Sequence, residues 1–230
     1  MYLIQGDIHN IIKELPDNTY NLLYTNPPFN SLTGAKWDKV LNWEDLWEDI
    51  WRIMKPNGIV VLHSSQRFTI ELCNSNIKNF KYKYIWRKEC ATNFLVCKFQ
   101  PLRVCEDICV FYKKAGTYNP QMIGDEEHKY RNVGYGTKQG YYSNKNQNNL
   151  KQKKESHKGR FPNDLLIYKR NIKGAGTRSD ELIDFILKTY SNEGDEVLDI
   201  TCYDYRTGLR CIELNRHYTG IDLNIVEKYD

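Results

Sequence analysis

The sequence predicts an α/β fold: a doubly wound, mostly parallel sheet with an antiparallel hairpin at one side. Three observations carry that prediction. Short apolar runs at residues 1–5, 20–24, 59–63, 196–200 and 218–221 read as buried strands. Segments with helical spacing separate most of them, which is the βαβ order of a parallel sheet. The alternating stretch 82–87 and the run 104–112 lie close enough in sequence to pair as a hairpin.

Taken in order, residues 1–5 form a strand that ends in Gly6-Asp7, and 8–15 carry helical periodicity. Pro16-Asp17-Asn18 turns the chain into the strand at 20–24. A helix is predicted over 43–54, because Trp43, Leu46, Trp47, Ile50, Trp51 and Met54 follow the 3.6-residue period. Such a stripe is ordinarily core, but three tryptophans also make it a candidate surface for a partner protein. Lys55-Pro56-Asn57-Gly58 is expected to end that helix ahead of the strand at 59–63. A helix at 68–73 precedes the hairpin, whose connection runs through Asn93-Phe94-Leu95 and Phe99-Gln100-Pro101.

From 113 to about 159 apolar periodicity vanishes, and Gly, Asn, Gln, Lys and Tyr dominate. Between Tyr135 and Lys158 the one acid is Glu155, against Lys138, Lys145, Lys151, Lys153, Lys154 and Lys158. Such composition is mobile on its own; its lysines suit phosphates and its tyrosines suit bases, so these lysines are candidate nucleic-acid contacts. Order returns as a strand at 161–168, a helix at 180–190 capped by Ser179, a strand at 196–200, a helix at 209–214 and a last strand ending in Asp222. The expected organisation is a catalytic half at 1–112, a variable basic insertion at 113–160, and a cofactor half of the same domain at 161–230.

The net charge of +4 favours a polyanionic partner only mildly. No apolar run approaches a membrane span and no N-terminal stretch has a signal-peptide build, so an intracellular, cytoplasmic or nuclear setting is expected. The seven cysteines form no CxxC pair and no Cys/His ligand spacing, which argues against a zinc site.

The chemistry centres on Thr25-Asn26-Pro27-Pro28-Phe29-Asn30, directly after the strand at 20–24. Ligands of open α/β sheets gather at that edge. Two prolines remove two backbone donors and stiffen the turn. It presents the Asn26 amide, free carbonyls and the Phe29 ring, a set suited to a planar substrate bearing an amino group. The Asn26 oxygen and the Pro27 carbonyl could accept both amino hydrogens while Phe29 stacks on the ring.

The tetrad Asn26-Pro27-Pro28-Phe29 resembles motif IV of the amino-methyltransferases, which methylate exocyclic nitrogens with S-adenosylmethionine. The order of blocks (tetrad first, basic segment next, cofactor strand last) resembles the circularly permuted β-class DNA enzymes and their Rossmann-like sheet. Lys36-Trp37-Asp38, Ile53-Met54-Lys55-Pro56-Asn57-Gly58, Trp86-Arg87-Lys88, Asn93-Phe94, Gln100-Pro101-Leu102, Thr117-Tyr118-Asn119-Pro120 and Arg160-Phe161-Pro162 are similar to phage and prophage adenine methylases. The resemblance implies cofactor contacts at Asp7, Asp199 and Asp222, with catalysis at the tetrad. Asn26 implies adenine, since N4-cytosine members usually begin the tetrad with Ser. DNA is the implied substrate, with RNA adenine as an alternative.

Two departures fall on the cofactor side. The family's glycine-rich loop reads Thr201-Cys202-Tyr203-Asp204-Tyr205-Arg206-Thr207-Gly208, and its Thr-Gln-Lys-Pro segment reads Thr177-Arg178-Ser179-Asp180. Tyrosines in place of glycines bring a Cβ and a ring where backbone must approach the ligand. The expectation is weakened S-adenosylmethionine binding, and activity that depends on a second methyltransferase-like subunit.

Overall fold

The structure is a computed structural model that describes residues 1–30, 38, 41–128, 157–170 and 178–225. Its elements are β1 (Tyr2–Gln5), α1 (Ile8–Glu14), β2 (Tyr20–Thr25), α2 (Trp43–Ile53), β3 (Met54–Ser64), α3 (Gln66–Ser75), β4 (Phe80–Thr92), β5 (Arg103–Phe111), β6 (Ile123–His128), β7 (His157–Arg160), β8 (Leu165–Ile167), α4 (Asp180–Tyr190), β9 (Glu196–Asp199), α5 (Arg206–Glu213) and β10 (His217–Asp222). Residues 1–119 and 163–230 make one compact unit, and 120–162 make another.

The larger unit holds an eight-stranded sheet in the order β1-β10-β9-β2-β3-β5-β4-β8. The first five strands are parallel; β5 is antiparallel to both β3 and β4, and β8 runs parallel to β4. Side chains alternate faces along each strand. Leu23, Val60 and Leu62 join Ile12, Leu46, Ile50 and Phe68 of α1, α2 and α3 in one core. Leu22, Tyr24 and Val61 join Leu182, Ile186 and Cys211 of α4 and α5 in the other. Apolar packing on both faces is why these strands read as unbroken apolar runs.

Three elements differ from their sequence reading. Residues 54–58 extend the front of β3 rather than a helix end. Met54 pairs with Tyr20, the register then shifts before Leu22 meets Ile59, and Gly58 takes up the irregularity. A Cβ at Gly58 would lie 3.1 Å from the Tyr20 carbonyl oxygen and 2.8 Å from Met54 Cε. The expected strand at 161–168 shrinks to β8. The segment at 113–159 is not featureless: β6 and β7 form an antiparallel pair in which Glu127 faces Lys158. Lys158 is exposed on β7, while Lys138, Lys145, Lys151, Lys153 and Lys154 lie outside the described residues.

The tryptophan stripe of α2 is core and not a partner surface. Trp43 and Trp47 are buried, and Trp51 packs half-buried beside them. The Trp47 ring lies 4.9 Å from that of Phe111, and its Nε1 donates to Ser75 Oγ at 2.8 Å. Trp47→Ala should therefore lower the unfolding free energy by about 3–5 kcal/mol. Equilibrium denaturation checks this, and a loss under about 1 kcal/mol would return the stripe to the surface.

Candidate active site

The winding of the chain reverses between the parallel neighbours β2 and β9. From β2 the chain winds through α2 to β3 on one side, and from β9 through α5 to β10 on the other. That divergence opens a crevice at the carboxyl ends of the two strands. Both candidate site segments start there, the tetrad from β2 and the residues 200–205 from β9. Two hydroxyls join them. Thr25 Oγ1 lies 2.6 Å from Asp199 Oδ1 and 2.6 Å from Thr201 Oγ1. A hydroxyl has one proton, so Thr25 donates to the carboxylate and accepts from Thr201.

The turn after β2 is held by a residue whose role the sequence did not reveal. Asp38 is buried, and its Oδ1 accepts from the backbone N–H groups of Phe29 and Asn30, each at 2.8 Å. Asn30 has φ of 53°, so two successive donors converge on one oxygen. The Phe29 ring stacks on Phe68 at 5.4 Å and 26°. Asn26 Oδ1 is buried without a partner, which leaves its acceptor capacity unspent.

On the other side of the crevice, Tyr203 and Tyr205 both have φ of 40°, the left-handed conformation that glycine adopts freely. The chain thus holds left-handed backbone at both tyrosines, at a cost of about 1–2 kcal/mol each. Tyr205 packs its ring against the core between the sheet and α4–α5. Tyr203 N–H donates to Asp222 Oδ2 at 2.9 Å, and Asn224 N–H to Asp222 Oδ1 at 2.9 Å. Asp7 sits at the same edge, since Gln5 pairs with Asp222, and its Oδ1 caps α1 by accepting from His9 N–H at 2.9 Å. Asp199, Asp222 and Asp7 therefore end three adjacent parallel strands or lie just past them, while the tetrad follows a fourth. With Asp199 Oδ2 and Asn26 Oδ1 unpartnered, these residues fit the S-adenosylmethionine that the resemblance implies.

Behind the crevice lies a run of buried titratable groups. Arg178 sits over the Tyr24 ring at 5.3 Å, and Tyr24 Oη is 3.0 Å from His63 Nε2. His63 meets Trp86 edge-on at 5.9 Å, and Lys88 Nζ bonds Glu106 Oε1 at 2.5 Å. Burial pushes Asp199 above its ordinary value, with the charge of Arg178 and the Thr25 hydrogen bond opposing. Burial likewise raises Asp222 and takes Tyr24 up to about 12. His63 is held well below 6.5 by burial and then by the charges of Arg178 and Lys88, so it is neutral in the native state. Among the described residues no group of three His, Cys, Asp or Glu side chains is placed to hold a metal ion, and no helix is long and apolar enough to cross a membrane.

A histidine kept neutral on folding binds its proton more readily when unfolded. Stability should then be complete above the ordinary histidine value of about 6.5 and fall progressively as the pH drops below it. Asp199 and Asp222 act oppositely, but their window opens lower, near the ordinary carboxylate value. Unfolding curves for wild type and His63→Gln should show the slope flattened in the variant; equal slopes would place the titration elsewhere.

A family model described as DNA methylase matches residues 20–229. The type II methyltransferase M.HpaI of Haemophilus parainfluenzae is 23% identical over 235 residues, covering 96% of this chain and 70% of that protein. The crystal structure of the M1.HpyAVI–SAM complex superposes with a TM-score of 0.61 at 21% identity, over 96% of this chain and 92% of that one. The cytosine-N4-specific PvuII DNA methyltransferase gives 0.67 at 13% identity, over 96% and 81%. The Rossmann-like sheet, the tetrad at the end of β2 and the acids on β9 and β10 thus come with a match over nearly the whole sequence: the chain belongs to the N6/N4 DNA methylase family, whose cofactor is S-adenosylmethionine.

Proposed function

We propose that this chain methylates the exocyclic N6 of adenine in DNA. The observation that carries the reading is the Asn26 amide oxygen, unpartnered at the end of β2 and followed by two residues without N–H groups. S-adenosylmethionine, when bound, supplies the methyl group. Asn26 Oδ1 and the Pro27 carbonyl accept the two amino hydrogens and orient the nitrogen, while Pro28 keeps the turn stiff. Drawing those hydrogens out of the ring plane localises the nitrogen lone pair without a strong base. Phe29, with one face against Phe68, offers the other to a base that has left the duplex. Asp199, Asp222 and Asp7 hold the cofactor side. Asn26 at the head of the tetrad favours adenine over cytosine, and competition between DNA and RNA oligonucleotides decides the polymer.

A second reading has support in the loop: a chain that binds the cofactor weakly and serves as partner to another methyltransferase-like subunit. Its support is the left-handed backbone that Tyr203 and Tyr205 must hold. Isothermal titration with S-adenosylmethionine separates the two, because low-micromolar binding by the chain alone removes the need for a partner.

Transfer of labelled methyl groups to adenine-only and cytosine-only duplexes tests the main reading, and adenine labelling is expected. Asn26→Ala should abolish transfer with fold and DNA affinity nearly unchanged, since its hydrogen bonds act in the transition state. A variant that keeps most of its kcat would remove Asn26 from the mechanism.

The basic insertion carries the proposed DNA contacts, with Lys138, Lys145 and Lys158 beside the triplet Lys151, Lys153 and Lys154. Replacing that triplet by Gln should weaken duplex binding and lower the slope of log affinity against log salt by roughly 0.9 for each phosphate no longer neutralised. Unchanged affinity and slope would make the insertion inert towards DNA.

A further inference from the structure

Away from the crevice, α3 and the hairpin bring two thiols together. Cys109 lies on β5, pairs across the sheet with Leu62 and Lys83, and is fully buried. Cys73 lies near the end of α3 and is partly exposed, with its Sγ 3.7 Å from that of Cys109. A disulfide holds its sulfurs about 2 Å apart, so a small approach of α3 towards β5 closes the gap.

The surroundings give the two thiols different tasks. Ser64 Oγ is 3.3 Å from Cys109 Sγ, and Thr69 Oγ1 donates to Asp107 Oδ2 at 2.8 Å. Lys83 Nζ donates to the other oxygen of Asp107 at 2.7 Å, which holds a cation beside the pair. The hydrogen bond from Cys109 brings the Cys73 thiol down against the opposing effect of burial, and the charge of Lys83 brings it down further. Cys109 is pushed up, because it gives that hydrogen bond and is buried. The accessible thiol is therefore the one that ionises, and the buried one keeps a proton to give. Reactivity towards oxidants follows thiolate character and access.

We propose that Cys73 and Cys109 form a dithiol that hydrogen peroxide converts to a reversible disulfide, fixing α3 to β5. The Cys73 thiolate attacks one peroxide oxygen. An S–O bond forms, the O–O bond breaks and hydroxide leaves, so sulfur loses the two electrons that the peroxide gains. Cys109 sulfur then attacks the resulting sulfenic acid. The S–S bond forms, the S–O bond breaks, and the Cys109 proton departs with the hydroxide as water. A thiol reductant restores both groups by exchange. The bond also reaches the proposed active site, because the same helix carries Phe68, the ring that backs Phe29. That consequence rests on the methyl-transfer reading above; the bond itself does not.

The test is peptide mapping and methyl transfer on the full chain after treatment with hydrogen peroxide. Cleavage without reduction, after acidic as well as basic residues, should yield a linked pair of peptides joining Cys73 to Cys109. Cuts after Glu106 or Asp107 separate Cys109 from the exposed Cys105. The link should vanish with dithiothreitol. Transfer by the bridged protein should fall roughly 10- to 100-fold, the cost of displacing a positioning element, and return on reduction. Cys73→Ala, altered on a partly exposed helix face, should keep its activity through the same treatment. Cys109→Ala should instead leave Cys73 to run on to sulfinic acid. No bridge, or a bridge from Cys73 to a different cysteine, overturns the proposal. A Cys73–Cys109 bridge with transfer unchanged overturns the link to Phe68 alone. Reduced protein that methylates nothing overturns the methyl-transfer reading, while the peptide map still decides the dithiol.

Discussion

The Thr25 hydroxyl is the constraint on which the site depends. It lies where two halves of the chain meet, giving its proton to Asp199 and taking one from Thr201. Both contacts bring together residues far apart in sequence. At the opposite end of the same strand pair, the Asn21 side chain repeats the idea, with Oδ1 accepting from Glu196 N–H at 3.0 Å and Lys55 Nζ at 2.8 Å. The β2–β9 seam is thus pinned by side chains at both ends, with the apolar Leu22–Val197 and Leu23–Leu198 pairs between. Slip by one residue would exchange the two cores and separate the tetrad from the acid.

Electrostatics at the carboxyl edge follows from the same seam. Asp199 is fully buried, and its charge is tolerable because Arg178 lies close and two donors, Thr25 Oγ1 and Thr201 N–H, meet one oxygen. The cation in turn is spread over the Tyr24 ring. Neutral His63 separates it from the second buried cation, Lys88, which Glu106 balances. Charges therefore alternate with neutral groups across β9, β2, β3 and β4, and like charges are kept apart in a medium that screens poorly.

Much of this was legible in the sequence, for identifiable reasons. The strands of the parallel sheet are apolar on both faces, so composition alone located β2, β9 and β10, and periodicity located α2 and α4. The stiff turn after β2 was legible because two prolines directly after such a strand can continue neither a strand nor a helix. What escaped depends on tertiary closure. Asp38 looks like a loop acid until the Phe29 and Asn30 amides converge on it. Arg178 is placed on the cofactor side by resemblance alone, and nothing in the sequence shows that its guanidinium is buried over the Tyr24 ring. Pro56 and Gly58 are ordinarily helix stops, and only pairing with Tyr20 and Leu22 turns them into an irregular strand. The tryptophans of α2 had two uses in sequence, and burial left one.

The strand order also dictates what a ribosome must release before the sheet can form. Tyr2 of β1 pairs with Thr219 of β10, and Leu22 of β2 with Val197 of β9. A nascent chain that has just completed the hairpin can assemble β2, β3, β5 and β4 as a half-sheet, yet β2 still shows a bare polar edge and an uncovered apolar face. That edge stays open while the basic insertion and α4 are synthesised, and β1 waits longer still. Open edges beside apolar faces invite pairing with other chains. Pairings this distant in sequence also slow the final closure. Expression at reduced rate, or with chaperones that shield strand edges, therefore suits this topology better than rapid overproduction.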